Sequence, residues 1–196
     1  MRVYFNPVAA CVPVIVLFGC GDPGRPTTPL TDSSAVSRYL GGPTDVHASA
    51  STRLVSMMDA CDPTTFNETV GPGTCLERQA GVSFSHFTAE LMRTQMAGSW
   101  HFAPSETTAG VGQTLLAVNR GGEVHTFTRV AAFGGGIVPP LNTLSGNPVP
   151  APECLNLEAD DFVPPGGTYE ETVSEPGTQQ FQCCIHPWMR ITLRAQ

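Results

Sequence analysis

The sequence contains no lysine; all ten of its fixed cations are arginine. Charged residues of either sign fill only 14% of the 196 positions, and the formal net charge is -7. A surface so poor in cations cannot neutralise a row of phosphates, which excludes nucleic acid as a partner. The acidic balance suits docking against a basic protein surface instead. Long apolar runs are also scarce: the one from Val8 to Phe18 is too short for a mature membrane span and is interrupted by Pro13. With few charges but 20 glycines and 18 prolines, the composition leaves little room for long charged helices and favours short strands joined by turns. Hydrophobic residues, at 41%, suffice for a buried core, and the length suits one domain with extensions.

Arg2 followed by the Val8–Phe18 run has the proportions of an export signal, and Pro7 and Pro13 argue against a buried strand there. The run ends in Leu17-Phe18-Gly19-Cys20, an apolar residue and a small residue before cysteine, which is similar to a bacterial lipobox. Residues 1–19 are therefore expected to be a lipoprotein-type signal peptide, with Cys20 as the lipidation site. Residues 20–50 are rich in Gly, Pro, Ser, Thr and Asp and cannot bury enough surface to offset the entropy of ordering, so they are expected to be a flexible tether. Residues 51–196 form the expected folded domain.

Export implies an oxidising compartment, where disulfides persist. Of seven cysteines, Cys11 leaves with the signal and Cys20 carries the lipid, so five remain in the domain. An odd number asks for one free thiol with a task. Cys61 and Cys75 flank the turn-rich DPTTFNETVGPGT and make a natural local pair. Cys154 then has a partner in either Cys183 or Cys184, whose side chains face opposite ways if they share a strand.

The densest chemistry lies in QFQCCIHPWMRITL, residues 180–193, where Cys183-x-x-His186-x-x-Met189 places a thiol, an imidazole and a thioether on one short turn at Pro187. Upstream, an apolar strand with Leu115, Leu116 and Val118 reaches Gly121-Gly122, and a second strand then opens with His125. Together these residues offer two imidazoles, a thiolate and a weak second sulfur, the donor set of a blue-copper site. The neighbouring pattern Phe181-Gln182-Cys183, then His186-Pro187-Trp188-Met189, resembles the cupredoxins, especially amicyanin, pseudoazurin and plastocyanin. Asn119 to His125 is similar to that family's first-histidine strand, and PPGGTYEETVSEPGTQQFQC to the hairpin leading into its copper loop.

The resemblance covers about residues 98–196 and implies a type 1 copper ion held by His125, Cys183, His186 and Met189. It makes Cys183 the ligand, since Cys183 has the two-residue gap to histidine and the aromatic two before it; Cys184 then pairs with Cys154. It implies an antiparallel Greek-key β-sandwich, with residues 51–96 as an N-terminal extension and residues 132–165 as a long loop insertion. It also implies a one-electron carrier, not an enzyme, in the periplasm or at the cell surface, with His186 as the solvent-near edge. Its partner would be a redox protein such as a cytochrome c or a copper oxidoreductase, and its membrane contact a lipid anchor only. The alternative is copper storage or delivery through the same ligands.

Strands are expected at roughly 97–103, 113–119, 124–131, 168–175, 179–184 and 189–195, a pinned hairpin at 61–75, and a short helix over 88–96 from the period of Phe87, Leu91, Met92 and Met96. His47 falls in the tether, and His86 and His101, beside aromatics, are read as packing residues. Trp188 suits either the core or a docking patch, Glu158–Asp161 reads as a solvated acidic loop, and the sequon at Asn67 carries no weight in a bacterial lipoprotein.

Overall fold

The computed structural model describes residues 52–76 and 81–196; the expected signal, tether, lipidation site Cys20 and His47 lie outside the described residues. In chain order the elements are β1 (Arg53–Met58), α1 (Pro63–Thr69), α2 (Phe84–Thr94), β2 (His101–Ala103), β3 (Glu106–Ala109), β4 (Thr114–Asn119), β5 (His125–Thr126), β6 (Thr128–Val130), α3 (Pro139–Leu144), β7 (Phe162–Val163), β8 (Thr168–Thr172), β9 (Gly177–Gln182) and β10 (Arg190–Ala195). Two four-stranded sheets, ordered β2-β1-β4-β8 and β3-β10-β9-β6, form a sandwich, and β5 pairs with β7 as a small third sheet.

Alternation decides which face of each strand is buried. In β4 the inward residues are Leu115, Ala117 and Asn119; in β10 they are Ile191, Leu193 and Ala195. All of these except the polar Asn119 meet Val55 and Met57 of β1 and Phe181 of β9 in one apolar cluster. Phe127 stacks on Phe181 with centroids 4.7 Å apart. Each such side chain contributes on the order of 2 kcal/mol by leaving water.

Several expectations needed correction. Residues 53–58 are not an appendage: β1 lies between β2 and β4 at the centre of its sheet, because Val55 and Met57 alternate inward. Its pairing with β4 is parallel, as is that of β3 with β10, so both sheets are mixed. The expected strand 124–131 is split, with β5 pairing to β7 and β6 to β9, while Phe127 between them turns into the core.

The segment between Cys61 and Cys75 holds a helix, not a hairpin. The Asp62 side chain caps α1 by accepting from the Thr65 amide at 3.0 Å, Pro63 occupies the first turn, and Phe66 anchors it. Helix α2 starts earlier than expected, at a Ser83 cap. It buries Phe87 and Leu91, leaves Met92 exposed and ends at Thr94, before the exposed Met96, so the apolar stripe is narrower than the sequence suggests. An isolated helix of this length is marginal in water, so Phe87 and Leu91 hold it to the sandwich. Among the described residues no helix is long and apolar enough to cross a membrane.

Candidate metal centre

Two connections between strands build the site. The first runs from the end of β4 to His125. Asn119 organises it: its side-chain amide donates to the Glu123 and Val163 carbonyls at 2.7 and 2.8 Å, and its oxygen accepts from the Gly121 amide at 2.9 Å. The second leaves β9 after Gln182 and returns as β10. The Cys183 amide donates to the Met189 carbonyl at 3.0 Å and the Met189 amide to the His186 carbonyl at 2.9 Å, closing a tight loop.

These connections bring His125, Cys183 and His186 together. The Cys183 Sγ lies 3.8 Å from Nδ1 of each imidazole. The two rings are 5.2 Å apart at 61°. All three residues are buried, His186 at 3% exposure. A metal bound trigonally, with bonds of about 2.3 Å to sulfur and 2.0 Å to nitrogen, sets sulfur and nitrogen about 3.7 Å apart. The donors therefore already stand at the separation a metal requires. Met189, three residues after His186, is wholly buried on the same loop.

The thiol environment favours its anion. The Thr126 and His186 amides approach Sγ at 3.4 and 3.5 Å. Burial alone would push the Cys183 thiol up, but the bonds and charges of the two imidazoles outweigh it and hold the group well below the thiol range. Cys184 faces the other way and is bonded to Cys154, while Cys61 is bonded to Cys75. Cys183 is the free thiol among the described residues.

Behind each imidazole sits an acid that the sequence did not single out. His125 Nε2 lies 2.8 Å from Asp59 Oδ2, in a side chain with no exposure. Burial opposes ionisation of Asp59, but the His125 contact and the Gly122 and Glu123 amides hold it down at about 2. Burial likewise disfavours a charged His125, yet Asp59 and Cys183 raise it to about 9. Glu123 Oε2 lies 3.6 Å from His186 Nε2 and accepts from Trp100 Nε1 at 2.5 Å. Burial raises Glu123, and His186 and Trp100 offset that only in part. Asp59, Cys61 and Glu123 also cluster at ligand distance, but the sulfur of Cys61 is committed to its disulfide. No local pattern points to Asp59, which follows an alternating strand and lies two residues before a cysteine.

His186 is not the solvent-near edge expected of it. Trp188 packs against it at 5.5 Å, and Phe87 of α2 packs on Trp188 at 5.9 Å. The helical segment between β1 and β2 thus roofs the site, and Trp188, 9% exposed, belongs to the core. His86 and His101 are exposed and outside the cluster, with the His101 ring near the Gly98 carbonyl at 3.1 Å. Asn67 exchanges side-chain hydrogen bonds with the Cys75 backbone. Glu158–Asp161 is a capped 3-10 turn with Ala159 and Asp160 exposed.

No protein-family model matches the chain, and no curated protein matches it. The solved structures to which it is similar are cupredoxins. A purple cupredoxin from Nitrosopumilus maritimus aligns at 13% identity over 74% of this chain and 99% of that one, with a TM-score of 0.41. Plastocyanin from Dryopteris crassirhizoma, in its oxidised form, aligns at 19% identity over 50% and 89%, with a TM-score of 0.34. A Cu(I) amicyanin mutant aligns at 20% identity over 49% and 73%, also at 0.34.

Proposed function

We propose that this chain is a one-electron carrier built on a single type 1 copper ion, with His125, Cys183 and His186 as ligands and Met189 as a fourth, weaker one. The observation that carries the reading is the pair of 3.8 Å nitrogen–sulfur separations, fixed by backbone geometry around a free, anion-favouring thiol. Two imidazoles, one thiolate and one thioether are a donor set suited to copper. Bound there, copper supplies the one-electron couple between its two oxidation states. The chain's own residues do the rest. The Thr126 and His186 amides stabilise the thiolate charge. The loop closed by the Cys183 and Met189 backbone keeps donor positions fixed, and Trp188 and Phe87 exclude water. A site that needs little rearrangement when an electron moves favours fast transfer.

A carrier is favoured over an enzyme because the cluster is enclosed. Two surface hollows of about 530 and 500 Å³ are lined by other residues, among them Arg129 and Gln180 in one and Ile137 and Leu157 in the other. Two disulfides support an oxidising compartment, and the Leu17–Cys20 run supports a lipid anchor at the periplasmic membrane or cell surface. The net charge of -7 suits a redox protein with a basic docking face, such as a cytochrome c or a copper oxidoreductase.

Adding Cu(II) to the purified protein tests this. The expected result is intense visible colour that bleaches on one-electron reduction, is lost in Cys183→Ser, and survives in the double variant Cys154→Ser/Cys184→Ser. A colourless wild type sinks the proposal. Colour that a chelator strips within seconds would favour copper delivery over electron transfer.

A further inference from the structure

We infer that Asp59 is a positioning residue for the metal centre: its carboxylate fixes the His125 tautomer and biases the bound copper toward its more positive oxidation state. This rests on the copper reading above. The contact is direct, with Oδ2 at 2.8 Å from His125 Nε2. The same oxygen also accepts from the Glu123 amide at 3.0 Å, and Oδ1 accepts from the Gly122 amide at 2.9 Å and the Cys61 amide at 3.3 Å. When Nδ1 gives its lone pair to a metal, the ring's remaining proton lies on Nε2, facing the carboxylate.

The chain invests several features in this contact. Asp59 follows β1, whose parallel register along β4 carries it to the loop before His125. The Cys61–Cys75 disulfide closes the segment just beyond it. The glycines of that loop make room: a Cβ at Gly121 would fall 1.8 Å from Asp59 Oδ2, and one at Gly122 would fall 2.7 Å from Cys61 Sγ. The amides alone ask for two acceptor oxygens, Oδ1 for Gly122 and Cys61 and Oδ2 for Glu123, and a carboxylate supplies both. What the carboxylate adds beyond them is charge, transmitted through the imidazole, and an imidazole made more basic by a carboxylate partner is a better donor to the more highly charged metal ion.

The test is Asp59→Asn in the copper-loaded protein, read by redox titration. Colour should be retained, and the preference for Cu(II) over Cu(I) should fall about tenfold, a rise in reduction potential of about 59 mV for one electron. Copper bound at an unchanged potential overturns the inference and leaves the proposed function standing. Should Asp59→Asn not fold, Gly121→Ala supplies the same test, because the added methyl group displaces the carboxylate without removing its charge; its potential should rise as well, and no change overturns the inference. A readout without copper separates the two ideas. Nitrogen-15 spectra of the copper-free protein above pH 9, where the His125 ring is neutral, should show its proton on Nε2 in the wild type and mixed tautomers in Asp59→Asn. Mixed tautomers in the wild type overturn the inference whether or not copper binds.

Discussion

His125 and His186 present the same atom to the same sulfur, yet the regions behind them differ. Behind His125 stands a carboxylate that is ionised, wholly buried and saturated with donors at 2.8 to 3.3 Å. Behind His186 stands Glu123, farther off at 3.6 Å, raised by burial and shared with Trp100. One imidazole is clamped by charge from an upstream strand; the other is wedged between aromatic rings and a more weakly held acid. Two imidazoles facing one sulfur therefore need not contribute equally to stability, or to the copper ion proposed between them.

The sharpest way to break this comparison is to remove each ring in turn. His125→Ala leaves the Asp59 charge buried without its partner and should destabilise the copper-free protein by about 3 kcal/mol or more in denaturant unfolding. His186→Ala leaves Glu123 with its Trp100 donor and should cost less. Equal losses would mean that the two acids act alike. A smaller effect appears with pH. Asp59 is depressed from 3.8 to about 2, so its contribution is complete above about pH 4 and is lost as the pH falls toward 2. The copper-free wild type should lose about 2 kcal/mol more than Asp59→Asn across that window. Between pH 6.5 and 9 the raised His125 and the lowered Cys183 oppose each other, since the folded pair holds one proton as imidazolium and the unfolded pair holds one as thiol. No net slope is expected from them there. The smallest effect belongs to Trp100→Phe, which keeps the packing with Phe66 and Phe87 but removes the donor to Glu123. A loss of about 1 kcal/mol is expected by thermal unfolding, and a loss as large as that of His125→Ala would reverse the ranking of the two sides.

What the sequence disclosed follows from distance along the chain. Cys183, His186 and Met189 sit on one loop, so their spacing alone indicates convergence. His125 needed a second motif, and the Gly-Gly turn before it was visible although its purpose was not. Asp59 was invisible because an isolated aspartate has no pattern; only the parallel pairing of β1 with β4, a long-range event, gives it a meaning. The enclosure of His186 was hidden for a similar reason. It depends on Phe87 reaching Trp188 across a hundred residues of chain, and no local period encodes that contact.

The doubled cysteine gives the register of β9 a chemical consequence. Arg190 opposes Gln182 and Ile191 opposes Phe181, which sends Cys183 toward the imidazoles and Cys184 toward Cys154. A slip of one position would exchange the two sulfurs, turning Cys184 toward the imidazoles and Cys183 toward Cys154. Hairpin zippering must therefore precede oxidation during maturation, or the protein traps itself with Cys183 in the bridge and Cys184 as the free thiol.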